Sequence, residues 1–228
     1  MIPKHNFAPR VLAWFDQHGR KHLPWQHNKT PYRVWISEIM LQQTTVNAVI
    51  PYYEKWVKAF PTVTHVARAP LQKVLKYWQG LGYYARVKNI HRSAKIICEN
   101  HDQTIPSDAT PLKKLPGFGP YTVGAVLSIA FDQRYPIVDA NVRRVVMRIL
   151  ATEGYADVSQ DAGILVFLDK VMPQRNLRTF NQALMELGSL ICIPDCPKCT
   201  ACPLKSLCQA RLKGNPAELP VKSKGVRV

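Results

Sequence analysis

The stretch Leu115-Pro116-Gly117-Phe118-Gly119-Pro120-Tyr121-Thr122 constrains this 228-residue chain more than any other. Two prolines and two glycines in its first six residues forbid a continuous helix. Glycine opens positive φ and close backbone approach, and proline suits the first turn of a helix. Apolar, lysine-bearing residues precede the stretch and a run of small apolar residues follows it. The local expectation is therefore helix, tight hairpin, helix. The second helix begins with unpaired backbone N–H groups, which can receive a phosphate oxygen. The alternative is a helix–helix corner that binds nothing.

Helical periodicity dominates elsewhere, and no convincing strand alternation is found. Phe7–His18 carries Val11, Leu12, Trp14 and Phe15 at helical spacing. Thr30 reads as an N-cap with Pro31 at the first helical position, opening a helix to about Gln43. Further helices are expected at 46–59, 62–69, 71–79, 85–100, 110–115, 120–131, 141–152, 160–172 and 179–190, separated by short Gly- or Pro-marked loops. This is an all-α pattern. The content of 46% hydrophobic residues suffices for one large or two small cores.

Thirty-one Lys and Arg against fifteen Asp and Glu give a formal charge of +16. Such an excess points to a polyanion, nucleic acid first and an anionic membrane surface second. No apolar run approaches the roughly 18 residues of a membrane span, and the first ten residues lack the apolar core of a signal peptide. A soluble, cytoplasmic chain is expected. In that compartment six cysteines read as metal ligands rather than disulfides, and five of them lie between Cys192 and Cys208. The spacing Cys192-x6-Cys199-x2-Cys202-x5-Cys208 suits structural zinc or a cubane iron–sulfur cluster, and spacing alone favours zinc. Cys196 is one thiol too many, and Cys98 reads as a core residue.

Four further places carry candidate chemistry. Glu38 falls on the stripe of Val34 and Leu41; there its carboxylate would be desolvated, which raises the pKa and suits a general acid. With the face rotated, Glu38 would be half exposed. Gln42-Gln43-Thr44-Thr45 is an uncharged polar end that can meet bases or cap the helix. Gly80-Leu81-Gly82-Tyr83-Tyr84-Ala85-Arg86 sets aromatics at a turn with cations behind, suited either to stacking on bases or to core packing. Asp139 is an N-cap candidate, and a cap carboxylate can also stabilise a nearby cation. No HExxH, P-loop or GxGxxG occurs, so metalloprotease, NTPase and dinucleotide readings have no support.

Taken together, these residues resemble the helix–hairpin–helix DNA glycosylases, and specifically their MutY-type adenine-specific branch. The resemblance rests on Leu23-Pro24-Trp25-Gln26, the run from Pro31 to Thr44 with Ser37-Glu38-Ile39-Met40-Leu41-Gln42-Gln43-Thr44, Gly80 to Arg86, the hairpin, Val138-Asp139-Ala140-Asn141, Phe180 to Gly188 and the cysteine spacing. It implies an all-α fold of two helical lobes with a DNA cleft between them. One lobe is a six-helix barrel over 22–132, the other combines 1–21 with 133–212, and a basic tail resembling an interdomain linker covers 213–228. It implies a [4Fe-4S] cluster on Cys192, Cys199, Cys202 and Cys208, in place of zinc, and leaves Cys196 aside. It implies flipping and removal of adenine mispaired with 8-oxoguanine or guanine, with Glu38 protonating the base and Asp139 stabilising the sugar.

Tyr121 stands where bifunctional relatives carry a Schiff-base lysine, so a monofunctional enzyme is implied, and Asn141 joins the catalytic group beside Asp139. Gln43 and Tyr83 match residues that push into the base stack, while Trp25, Leu41 and Gln182 match an adenine pocket. Gln42, Thr44, Arg86, Pro116, Gly117, Gly119, Tyr121 and Thr122 complete the implied DNA contacts. The partner would be double-stranded DNA with a mismatch or lesion, bound by a monomer. Two departures bear on this. MutY-type proteins continue into a Nudix-like domain, whereas this sequence stops in what looks like the linker. Tyr121 and Asp139-Ala140-Asn141 also occur in short thymine glycosylases acting on G·T mismatches, which makes removal of thymine or uracil opposite guanine the alternative.

Overall fold

Prolines, glycines and capping residues delimit almost every helix of the chain. The structure, a computed structural model, describes residues 6–221. The tail 222–228, with most of the basic linker-like residues, and residues 1–5 lie outside the described part. Helices are α1 Phe7–His18, α2 Pro31–Leu41, α3 Val46–Ala59, α4 Val63–Arg68, α5 Leu71–Trp78, α6 Ala85–Asn100, α7 Ala109–Lys113, α8 Pro120–Ala125, α9 Ala140–Leu150, α10 Asp161–Val171, α11 Leu177–Leu190 and α12 Gln209–Leu212. Among the described residues no strand forms, and a single isolated bridge joins Tyr155 to Val221. The expected all-α class is what the chain adopts.

The chain divides into two compact units, Lys21–Tyr135 and Met1–Arg20 with Pro136–Val228. In the first, α2 starts where Thr30 accepts a bond from the Arg33 N–H at 3.2 Å and Pro31 supplies the first helical φ. Its core is rich in aromatics: Trp35, Trp56, Trp78, Tyr53 and Phe60 are almost fully buried. Two of the buried polar tips pair with one another, since Trp56 Nε1 donates to the Tyr32 hydroxyl at 2.9 Å and that hydroxyl donates to the Phe60 carbonyl at 2.7 Å. Burial holds the Tyr32 phenol well above its ordinary pKa. Helix α8 runs on into a π-helical turn, Val126–Ala130.

In the second unit α1 supplies Phe7, Val11, Trp14 and Phe15 to a core shared with α9, α10 and α11. Phe7 meets Phe180 at 6.3 Å between ring centroids and Phe167 at 5.5 Å. Gly188 on α11 lets that helix approach α9, because a Cβ there would stand 2.5 Å from Asn141 Cβ and 2.9 Å from the Asn141 carbonyl oxygen.

Candidate functional site

In the unit Lys21–Tyr135 every residue from Val34 to Met40 is buried. Glu38 is therefore enclosed whichever way the helix is turned, and it is only 6% exposed. The Tyr121 hydroxyl donates to Glu38 Oε2 at 2.5 Å. The hairpin fixes that tyrosine. Gly117 has φ of 80°, and a Cβ there would sit 2.9 Å from Asn89 Cβ on α6. Ser93 Oγ donates to the Pro116 carbonyl at 2.7 Å, the Phe118 N–H to the Leu115 carbonyl at 3.1 Å, and the Phe118 ring lies 5.2 Å from Trp35. Gly119, the N-cap of α8, has ordinary extended backbone and open space around it. Thr122 is buried, and its hydroxyl accepts from Gln42 Nε2 at 3.4 Å, so its side chain faces inward.

Gln43 and Tyr83 are exposed, Tyr83 by 62%, and both adopt left-handed backbone, with φ of 56° and 48°. Non-glycine residues in that region store strain of roughly 1–2 kcal/mol and concentrate at functional places. Tyr84 is exposed too, while Thr44 is half-buried and donates to the Gln42 carbonyl at 3.2 Å. Arg86, expected as a DNA contact, spends its guanidinium on the protein. Its Nη1 donates to the carbonyls of Ile39, Met40 and Gln42 at 2.8, 3.2 and 2.5 Å, and Nη2 to Leu81 and Gly82 at 3.2 and 3.3 Å. Sequence reasoning missed this role. Trp25 packs edge-on against Tyr53 at 5.6 Å and is buried, and Leu41 is half-buried at the end of α2.

In the other unit Asp139 caps α9, its Oδ1 accepting from the Val142 N–H at 2.7 Å and its Oδ2 from Asn141 Nδ2 at 2.9 Å. Burial pushes its carboxyl above the usual range, opposed by those bonds and by the Arg144 charge. Arg144 donates to Asn141 Oδ1 at 2.9 Å, to the Gly188 carbonyl at 2.7 Å and to the Cys192 carbonyl at 2.7 Å. A continuous hydrogen-bonded path thus runs from the first residue of the cysteine segment to Asp139. Gln182 is buried on α11.

Cys192, Cys199, Cys202 and Cys208 line one cavity, together with Arg148 and Leu204, whereas Cys196 is exposed and absent from its wall. Burial pushes the Cys202 thiol up to about 12 and raises those of Cys199 and Cys208. Arg148 is 2% exposed and donates to Cys192 Sγ at 3.3 Å, to the Ile193 carbonyl at 2.7 Å and to the Pro194 carbonyl at 2.5 Å. Among the described residues no three His, Cys, Asp or Glu side chains are grouped as ligands of a single metal ion. Positions 140, 144 and 148 follow one face of α9, so the arginine pair at i and i+4 was the available signal for this support.

Residues 36–163 match the family model described as HhH-GPD superfamily base excision DNA repair protein. The chain is 41% identical over 219 residues to an adenine DNA glycosylase of Buchnera aphidicola subsp. Schizaphis graminum, covering 96% of this chain and 63% of that one. It is 40% identical to the adenine DNA glycosylase of Mycolicibacterium smegmatis, covering 91% of this chain and 70% of the relative. Thus it spans just under two thirds of the first of these relatives. Among solved structures, a thermostable thymine-DNA glycosylase superposes with a TM-score of 0.81 at 27% identity, over 92% of this chain and 97% of that one. The chain belongs to the HhH-GPD superfamily of base excision DNA repair proteins, and within it to the family of the adenine DNA glycosylases.

Proposed function

We propose that the chain is a monofunctional DNA glycosylase that removes adenine mispaired with 8-oxoguanine or guanine. The observation that carries this reading is Glu38: a carboxyl group 6% exposed, hydrogen-bonded by Tyr121, in a chain about 40% identical to adenine DNA glycosylases. An enclosed carboxylic acid can hold a proton for transfer to a leaving purine nitrogen, which weakens the glycosidic bond as it breaks. The Tyr121 hydroxyl orients that carboxyl group and supplies no amine, so no Schiff base forms. Asp139, fixed by two donated bonds, would face the positive charge that develops on the sugar, with Asn141 and Arg144 holding its orientation. Gln43 and Tyr83 would fill the stack around a flipped nucleotide. Lesion-containing duplex is the proposed partner, bound by a monomer, and the charge of +16 supports an electrostatic share in that binding.

Cys192, Cys199, Cys202 and Cys208 would hold a [4Fe-4S] cluster. Their shared cavity fits the group, and a cationic centre there would reverse the preference of the buried thiols for their protons. Once bound, the cluster would cross-link the segment that carries it and hold it against α9.

Single-turnover base release tests the proposal, using one duplex with adenine opposite 8-oxoguanine and one with thymine opposite guanine. Release of adenine, abolished in Glu38→Gln while duplex binding persists, is the expected result. Release of thymine instead would reassign the chain to the activity named for the thymine-DNA glycosylase it superposes on. Undiminished release by Glu38→Gln would remove that residue as the acid.

A further inference from the structure

Arg86 lies beside two residues that the sequence offers as wedges, yet it behaves unlike a DNA contact. Its two terminal nitrogens point at five backbone carbonyls. Three of these, on Ile39, Met40 and Gln42, belong to the end of α2, where helix geometry leaves carbonyls without partners. The other two, on Leu81 and Gly82, belong to the turn before α6. Among the five are the carbonyls of Gln42 and Gly82, which immediately precede Gln43 and Tyr83. Those two are the non-glycine residues of their respective segments that adopt left-handed backbone. The guanidinium plane also lies 5.2 Å from the Trp78 ring centroid and 5.4 Å from that of Tyr83. Burial lowers its pKa from the ordinary arginine value, as befits a cation turned inward.

We propose that Arg86 is a positioning residue, a clamp that holds Gln43 and Tyr83 together in their strained, exposed conformations so that both enter the base stack as one pre-formed wedge. The role rests on the proposed insertion of these two side chains into DNA. Both tips cost backbone strain, and an L residue released from such a constraint relaxes to negative φ. A planar fork with fixed donors can serve carbonyls from two segments at once. A lysine, with one compact ammonium group, cannot span the same set. The clamp also ends one residue from Glu38, because the Ile39 carbonyl is among its acceptors. It therefore ties the acid's helix to the wedge.

The test compares Arg86→Lys, Arg86→Met, Tyr83→Ala and the double variant Arg86→Lys/Tyr83→Ala. Flipping is read at saturating protein from the fluorescence of 2-aminopurine placed at the target position, and phosphate contacts from the salt dependence of Kd. For the clamp, Arg86→Lys loses flipping by about tenfold or more, the scale of one lost aromatic stack. The double variant is then no worse than Tyr83→Ala, because both changes disable one wedge. The slope of log Kd against log salt stays at the wild-type value in Arg86→Met. If instead Arg86→Lys flips normally, or Arg86→Met lowers that slope by about 0.9, Arg86 is a phosphate contact and the clamp is wrong. Full flipping by Tyr83→Ala would overturn the wedge itself, a separate failure from normal flipping by Arg86→Lys alone. Should the Arg86 variants not fold, the guanidinium nitrogens of the wild-type protein decide by NMR. Their signals, slow to exchange and unchanged on adding duplex, are the clamp's signature, and signals that shift with DNA refute it.

Discussion

Replacing Asp139 by asparagine separates what this residue does for the fold from what it does for chemistry. Two bonds end on its carboxylate, from the Val142 N–H at 2.7 Å and Asn141 Nδ2 at 2.9 Å. An asparagine keeps the cap through its oxygen but turns an amide against Asn141, losing one bond worth about 1 kcal/mol. Against this stands the burial that raises the Asp139 pKa above its ordinary 3.8. A carboxyl whose folded pKa is raised contributes stability below the unfolded value, and that contribution is lost as pH rises through the folded one. At neutral pH the ionised form therefore weighs against folding, and a neutral amide removes the burden. The two effects oppose, so Asp139→Asn should melt within about 2–4 °C of the parent at pH 7, the shift that roughly 1 kcal/mol produces in a chain of this size. Its standing relative to the parent should worsen as the pH falls through the raised pKa toward the unfolded value. Asp139→Ala sheds the same buried charge but loses both bonds, one more than the amide, so it should melt about 2–4 °C below Asp139→Asn, a further loss of about 1 kcal/mol. Both variants should lose most base release in single turnover. Thermal melting from pH 3 to 8 beside the glycosylase assay checks this. A drop well beyond 4 °C for Asp139→Asn at pH 7, or undiminished base release, would refute the reasoning.

Gly117→Ala meets a φ of 80° and Asn89 Cβ at 2.9 Å, and should cost about 1–3 kcal/mol in a chemical melt and weaken duplex binding through the displaced hairpin. Unchanged stability would mean that the hairpin tolerates a side chain there. If the proposed cluster is what the four cysteines hold, Cys199→Ser should lower the iron bound per purified chain, while Cys196→Ser and Cys98→Ser leave iron content at the parent level, since neither lines the shared cavity. Iron loss in Cys196→Ser would change the ligand set.

The helices were legible because their ends are chemically marked. Thr30 and Pro31 announce α2, and the apolar spacing from Phe7 to Phe15 announces α1, which runs over Phe7–His18 as expected. Less visible was why Glu38 is buried. The stripe of Val34 and Leu41 suggests one covered face, whereas α2 is enclosed from Val34 to Met40, packed by α3 next in the chain and by α8 and the Val126–Ala130 turn much later in it. Periodicity reports the face a helix turns inward but cannot report that no face is left outside. The π-turn at Val126–Ala130 was illegible for a related reason: small apolar residues fit either hydrogen-bond register. Arg86 shows the limit most clearly. Its charge and neighbours suggest nucleic acid, yet the carbonyls that claim it come from segments some forty residues apart, and only their meeting in space defines the role.

One unit of this chain is assembled from both sides of the other, and the order of synthesis gives that arrangement a cost in time. The Arg20 N–H donates to Glu186, 166 positions later, and Arg10 donates to Ser206, 196 positions later. When α1 emerges from a ribosome, its partner α11 does not yet exist. At about 5–20 residues per second, Phe7, Val11, Trp14 and Phe15 wait on the order of ten to thirty seconds with their apolar face uncovered. The segment Lys21–Tyr135 is contiguous and can close its own core during that interval. The nascent protein thus carries α1 uncovered while the segment after it is already folded, a species for which chaperone capture of α1, rather than of Lys21–Tyr135, is the expected fate.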